Sequence, residues 1–326
     1  MKMRIVGTGS ALPQTEVDNK MLTEWVETSD EWIRERTGIG ARRVSTGETV
    51  ASLAADACRR ALEQAGRSAE EVDLILVATC SPEYLLPCAA CQVQTIIGAV
   101  NATAFDINAA CSGFLFGLTM AEAYIQSGMY QRILIAGSEV LSKIIDWEDR
   151  STCILFGDGA GAVLVEAAEE TDSGMLSCVQ GSDGAKGMVL SCRERFGKNP
   201  LYTEEINEAE NLFVKMDGQA VYRFATRQVS ACIEDALEKA NLTAQEIDLF
   251  VLHQANARII EAVAKRLHAD MNKFPVNLDR LGNMSSATIP VLLDELNRAG
   301  RLKRGQKIVL SGFGAGLTYG ACILVW

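Results

Sequence analysis

The stretch Ala61-Leu-Glu-Gln-Ala-Gly-Arg-Ser-Ala-Glu-Glu-Val-Asp-Leu74 occurs twice in this chain. At an offset of 175 the sequence reads Ala236-Leu-Glu-Lys-Ala-Asn-Leu-Thr-Ala-Gln-Glu-Ile-Asp-Leu249, identical at 8 of 14 positions. Before the first copy, Leu53, Ala54, Ala57, Cys58, Ala61, Leu62 and Ala65 fall on one helical stripe that stops at Gly66. Before the second, Val229, Cys232, Ile233, Ala236, Leu237 and Ala240 do the same. Each stripe leads into an apolar run, 72–79 and 247–252, that reads as a buried strand. The same offset pairs Gln131-Arg-Ile-Leu-Ile-Ala-Gly137 with Gln306-Lys-Ile-Val-Leu-Ser-Gly312. The chain is therefore internally duplicated. Each half reads helix–strand–strand–helix–strand–strand, which predicts two similar α/β units with buried mixed sheets packed together, rather than one doubly wound sheet. The halves are expected to run 1–170 and 171–326, joined by the polar, turn-prone segment 169–174. A second polar stretch, 193–210, reads as a surface excursion.

Composition bounds what such a molecule does. With 326 residues, 48% hydrophobic and 22% charged, it has the balance of a folded enzyme. A net charge of −11 opposes general affinity for nucleic acid or an anionic membrane. Met1-Lys-Met-Arg-Ile-Val-Gly7 lacks the apolar core of a signal peptide, and no run approaches the roughly 20 apolar residues of a membrane span, so a cytoplasmic protein is expected. The 10 cysteines then read as free thiols in a reducing compartment. Cys88-Ala-Ala-Cys91 has no second pair at zinc-ligand spacing, and no metal site is expected there.

In α/β units, sites form beyond the carboxyl ends of strands, which directs attention past Val77, Ile107, Leu252 and Val276. Cys111 follows the run 103–107 and opens a small-residue and apolar helix, where the positive helix end would lower a thiol pKa from about 8.5. A buried structural cysteine suits that position as well. His253 follows the strand 249–252 at a turn into a helix. The chain's other histidine, His268, sits at a helix end, where solvent exposure is expected. Asn283 lies in Leu281-Gly-Asn-Met-Ser-Ser-Ala287, a second small-residue helix start that an offset of 172 places opposite Cys111. An asparagine there also suits a helix cap. The glycine runs 157–161 and 312–316 each precede a strand, so they fail the context of a dinucleotide loop. A tight hairpin, with backbone N–H groups near a substrate oxygen, fits better.

Ala109-Ala-Cys-Ser-Gly-Phe114, His253-Gln-Ala-Asn-Ala-Arg258 and Gly282-Asn-Met-Ser-Ser-Ala287, in this order, resemble the three signatures of β-ketoacyl-acyl carrier protein synthase III, within the thiolase-like superfamily. The likeness runs from Ile5-Val-Gly-Thr-Gly-Ser10 to the C-terminal glycine turn. It implies a duplicated α-β-α-β-α five-layer fold and a homodimer. It also implies a two-stage reaction in which Cys111 takes an acyl group from acyl-CoA, the N–H groups of Cys111 and Ala315 hold the oxyanion, and malonyl-acyl carrier protein then loses carbon dioxide. His253 and Asn283 would donate to the resulting enolate oxygen, with no metal, nicotinamide or flavin.

The resemblance extends to substrate contacts. Ser29 suits a helix N-cap, which puts Trp32 and Arg36 one turn apart, able to hold an adenine and a phosphate. Arg150 is implied on the adenine's other face, with Thr28 and Asn256 on the CoA tail. Arg223, Arg258, Lys265 and Arg266 are candidates for an acidic carrier protein. Leu86 and Tyr222 replace phenylalanines found in some relatives near the acyl pocket, Leu86 across the dimer. Two other readings stay open: a thiolase-like acyltransferase of specialised metabolism, passing its acyl group to an alcohol or amine, and a non-enzymatic thiol or metal-binding protein.

Overall fold

The computed structural model describes residues 1–168, 174–193 and 213–326. The expected link over 169–173 and most of the excursion over 193–210 lie outside them. The helix α1 is Asp30–Thr37. In the first repeat, β1 (Lys2–Ala11) is followed by α2 (Val50–Ala65), β2 (Leu74–Ala78), α3 (Ala89–Ile97), β3 (Thr103–Ile107), α4 (Gly113–Gln126), β4 (Arg132–Glu139) and β5 (Gly159–Ala168). In the second, β6 (Gly174–Gly187) is followed by α5 (Gly218–Ala240), β7 (Leu249–Leu252), α6 (Ala257–Arg266), α7 (Thr288–Arg298), β8 (Lys307–Gly314) and β9 (Gly316–Val325).

The helix ends follow the sequence. Thr49 closes a capping box with Ser52 at the start of α2, and Gly66 ends that helix at φ +64. Its counterpart α5 ends on Asn241 at φ 53, asparagine being a side chain that tolerates this region.

The first sheet has the order β1-β5-β4-β2-β3, and the second β7-β8-β9-β6. In both, the strand after the long helix pairs in parallel with the first strand of the closing antiparallel pair, and the remaining neighbours of that pair are antiparallel. Three cores result. One lies under α2 and α3, one under α5 and α6, and a central one between the sheets holds Phe114, Leu115 and Leu118 of α4 beside Ile289, Leu292 and Leu293 of α7. The layers are α-β-α-β-α.

Two expectations change. The second sheet has four strands, because residues 275–277, where a fifth would end at Val276, are irregular. Pro275 has no N–H to give a ladder. The glycine run 157–161 leads into β5 after a long connection from β4, whereas 312–316 is a true hairpin tip between β8 and β9.

The repeat register also changes at the helix starts. Ala110 (φ 47) and Ser285 (φ 48) are matched left-handed residues at the offset of 175, each opening a single 3-10 turn, Ala110–Ser112 and Ser285–Ala287. Each turn is tied by the asparagine two residues earlier: Asn108 Oδ1 accepts from Ala110 N at 3.2 Å, and Asn283 Oδ1 from Ser285 N at 2.8 Å. Asn283 thus corresponds to Asn108, and the residue corresponding to Cys111 is Ser286. Non-glycine residues in this region cost on the order of 1–3 kcal/mol. Both halves bear that cost at the turns that face each other.

Candidate active site

Cys111, His253 and Asn283 line one cavity of about 740 Å³, together with Phe156, Phe313 and Gly314. Cys111 rides on the strained turn ahead of α4. The hairpin tip of the other half comes up against it so closely that a Cβ on Gly314 would stand 2.7 Å from Cys111 N. A second cavity of about 530 Å³ meets the first at Cys111, Phe156 and Leu190, and is lined by Cys80, Leu141, Ile144, Met188 and Ala315.

His253 extends β7, its N–H donating to Ser311 O at 2.8 Å, and its ring packs edge-on to Phe313. Burial pulls its pKa down to about 3, so the ring is neutral at physiological pH. Nδ1 lies 2.6 Å from Thr288 Oγ1. Asn283 is fixed by three bonds: its N–H donates to Leu155 O, its carbonyl accepts from Gly157 N, and its side-chain oxygen accepts from Ser285 N. With Oδ1 committed, the amide presents its NH2 group as a donor.

Cys111 departs from expectation. Burial pushes its thiol up to about 12, outweighing a hydrogen bond with Ser285, which lowers it; the nearby Glu139 charge adds to the rise. The resting group is a thiol, and its attack must be accompanied by loss of the proton.

Glu139, Ser285, Ser286 and Thr288 complete the site, and sequence reading missed all four. Glu139 ends β4 fully buried, accepting from Ser81 Oγ at 2.6 Å, Ser286 Oγ at 2.9 Å and Cys80 N at 3.1 Å. Burial raises its pKa against those bonds. The repeat was the available signal, since Glu139 matches Gly314 and Ser286 matches Cys111 at the offset of 175.

The outer contacts divide. Ser29 caps α1, accepting from Trp32 N at 3.1 Å. Arg150 already stacks on Trp32, its guanidinium carbon 4.7 Å from the ring centre, with that of Arg36 at 5.9 Å. The separation of Arg150 from Trp32 is less than the roughly 7 Å, two stacking distances, that a flat ring between them would need. Thr28 Oγ1 is buried without a partner. Asn256 caps α6, accepting from Arg258 N, and donates to Arg36 O, joining α6 to α1 at the cavity wall. Tyr222 lines the larger cavity. Leu86 lines neither cavity and is 87% exposed. Arg223, Arg258, Lys265 and Arg266 are all exposed. Arg223 and Arg258 stand at the cavity, while Arg223, Arg266 and an unforeseen Arg227 line an adjoining groove with Phe224 and Tyr319. His268 is exposed, at φ 49 beyond the end of α6.

A duplicated five-layer fold with a cysteine at the seam of its halves defines a thiolase-like acyltransferase. Residues 105–184 match the family model described as 3-oxoacyl-[acyl-carrier-protein (ACP)] synthase III, and residues 237–326 match that of its C-terminal part. A β-ketoacyl-[acyl-carrier-protein] synthase III of Clostridium acetobutylicum is 47% identical over 324 residues, covering 99% of this chain and 98% of that protein. The crystal structure of 3-oxoacyl-[acyl-carrier-protein] synthase III from Aquifex aeolicus VF5 superposes with a TM-score of 0.93 at 40% identity, covering 99% of this chain and 100% of that one. The priming β-ketosynthase of the R1128 polyketide pathway gives 0.92 at 36% identity, covering 99% and 96%. The chain belongs to the β-ketoacyl-[acyl-carrier-protein] synthase III family.

Proposed function

We propose that this enzyme condenses an acyl-CoA primer with malonyl-acyl carrier protein, with Cys111 as the acyl carrier and His253 and Asn283 as the enolate donors. The observation that carries the reading is the committed Asn283 oxygen, which leaves two N–H donors beside a neutral histidine in the cavity that holds the thiol. In the first stage, Cys111 sulfur bonds to the acyl carbon, the bond between that carbon and the CoA sulfur breaks, and the thiol proton passes to the departing CoA thiolate, so that CoA leaves as its free thiol. The N–H groups of Cys111 and Ala315 hold the oxyanion. In the second, the malonyl carbon–carboxylate bond breaks, carbon dioxide leaves, and charge moves to the thioester oxygen under His253 and Asn283. The carbanion attacks the acyl carbon and Cys111 departs. The thioesters and the departing carbon dioxide supply the driving force, so the sequence requires no nicotinamide, flavin or metal.

Trp32, Arg36, Arg150, Thr28 and Asn256 bind CoA, Arg150 opening from Trp32 to admit the adenine. Arg223, Arg258, Lys265 and Arg266, with Arg227, steer the acidic carrier to the cavity mouth. The chain divides near residue 170 into halves that share one site. It pairs as a homodimer through β3, an edge strand beside the exposed Tyr84, Leu85 and Leu86, and through that face Leu86 reaches the partner's acyl pocket. Among the described residues no helix is long and apolar enough to cross a membrane, and we place the enzyme in the cytoplasm, initiating fatty-acid synthesis.

Intact-mass analysis with a panel of acyl-CoAs, followed by carbon dioxide release from malonyl-acyl carrier protein, tests the division of roles. Asn283→Asp keeps the bond from Ser285 N but replaces the donor by an acceptor. It is expected to leave Cys111 acylation within a few-fold of wild type and to cut carbon dioxide release about 10²–10³-fold. Equal loss of both steps, or an acyl adduct that persists in Cys111→Ala, would refute the assignment.

A further inference from the structure

His253 is neutral, so one of its two ring nitrogens carries a proton and the other does not. Which one decides whether the face turned to the cavity donates or accepts. Nδ1 is engaged by Thr288 Oγ1 at 2.6 Å, leaving Nε2 for the cavity. The Thr288 hydroxyl has a single hydrogen and two acceptors in reach, Nδ1 and Ser285 O at 3.0 Å. If it served Ser285, Nδ1 would have to donate, and Nε2 would be a bare lone pair unable to hold an enolate. Ser285 O has two lone pairs, so the bond it accepts from the backbone N–H of Thr288 leaves room for the hydroxyl. The two contacts compete for one hydrogen, and the one to Nδ1, at 2.6 Å against 3.0 Å, is the shorter.

We propose that Thr288 is a positioning residue whose hydroxyl donates to His253 Nδ1 and thereby holds the ring in the tautomer with the proton on Nε2. The proposal rests on the reading of His253 as an enolate donor and names what fixes that donor. The duplication supplies an independent argument. At the offset of 175, His253 corresponds to Ala78 and Thr288 to Gly113. In the first half that pair is two small residues packed so closely that a Cβ on Gly113 would stand 2.8 Å from Ala78 Cβ. Ring and hydroxyl occur together in the half that carries the donor, and the other half has neither. Both are buried, Thr288 at 1% and His253 at 3% exposure, so water does not compete for Nδ1.

The test uses full-length protein labelled with ¹⁵N-histidine. His268→Gln leaves His253 as the only labelled ring, and the ¹⁵N shifts report each nitrogen's protonation. Wild-type His253 is expected to show a protonated Nε2 and an unprotonated, hydrogen-bonded Nδ1. Thr288→Val should move Nδ1 to a value without a hydrogen bond and lower carbon dioxide release from malonyl-acyl carrier protein about tenfold, the worth of one such bond. Acylation of Cys111 should stay within about twofold, and Thr288→Ser should restore the Nδ1 shift and the rate. A protonated Nδ1 in the wild type overturns the proposal, whether or not the valine variant folds. So does wild-type decarboxylation by Thr288→Val, or equal loss of acylation and decarboxylation, which would mark a packing role. His253→Ala separates this inference from the one beneath it. If that variant still decarboxylates, the donor role of His253 fails; if it does not while Thr288→Val does, only the role of Thr288 fails.

Discussion

Replacing Gly314 by alanine tests how tightly the two halves hold the nucleophile. The added Cβ would lie 2.7 Å from Cys111 N, 3.1 Å from Ser112 N and 3.2 Å from Ala110 Cβ. None of these is the far end of a flexible side chain, so the turn and the hairpin must separate by about 0.8 Å to reach an ordinary contact of about 3.5 Å. Overpacking of this kind costs about 1–3 kcal/mol of stability. The catalytic consequence is larger, because hydrogen-bond donors to an oxyanion act over about 2.7–3.1 Å and one lost donor lowers the rate about 10²–10³-fold. Cys111 N and Ala315 N stand on opposite sides of the enlarged gap. Gly314→Ala is therefore expected to slow acylation of Cys111 about 10²-fold, read by time-resolved intact mass, while remaining folded by thermal denaturation. Gly47→Ala, where an added Cβ meets nothing within 4 Å, serves as the control and should acylate normally. An acylation rate for Gly314→Ala within threefold of wild type would refute the close-fit argument.

Two further outcomes concern stability. Burial alone would raise the Glu166 carboxyl, but hydrogen bonds from Arg67 at 2.7 Å and Arg132 at 3.0 Å outweigh it and hold the pKa below its ordinary value. The folded value lies below the unfolded one, so this stabilisation is present above about pH 4.3 and fades as pH falls through the folded pKa. Glu166→Gln should lose about 1 kcal/mol at pH 7, a modest figure because both arginines are about a third exposed, and the difference in urea midpoints should close on acidification. Asp294 of α7 accepts from Thr8 Oγ1 at 2.8 Å and Ser10 Oγ at 2.6 Å of β1, tying one half to the other. Asp294→Ala should cost about 2–4 kcal/mol in denaturant unfolding, since it takes the charged acceptor from the buried Thr8 hydroxyl, the half-buried Ser10 hydroxyl and Arg298; a cost below about 0.5 kcal/mol would mean that water or Gln64, already 3.1 Å from Thr8 Oγ1, replaces the carboxylate.

The duplication was legible because it is written in local patterns. Helical stripes, their Gly66 and Asn241 stops and the apolar strands survive in both copies without reference to tertiary contacts. The register at the helix starts was harder. Cys111 and Asn283 both precede apolar helices, and pairing them by that likeness gave an offset of 172, whereas the shared backbone geometry of Ala110 and Ser285 sets it at 175. The missing fifth strand had a local cause in Pro275. The Cys111 pKa did not, because the burial that dominates it arises from residues far apart in the chain. Thr288 was invisible for the same reason, and Glu139 was marked only by its match to Gly314 in the repeat: a buried glutamate at a strand end and a threonine at a helix start acquire their roles from what the other half places against them.

The matched left-handed turns at Ala110 and Ser285 have a consequence for how this enzyme can change. Each copy of the turn is the mould for the other, so the seam can be altered only in complementary steps, a side chain gained on one side against space kept on the other. Gly314 against the Cys111 turn and Gly137 against Ser286 O, where a Cβ would collide with backbone, fix the points of contact. The asymmetry that makes one copy hold a thiol and the other a pair of hydrogen-bond donors had to arise within a gap whose width neither copy sets alone.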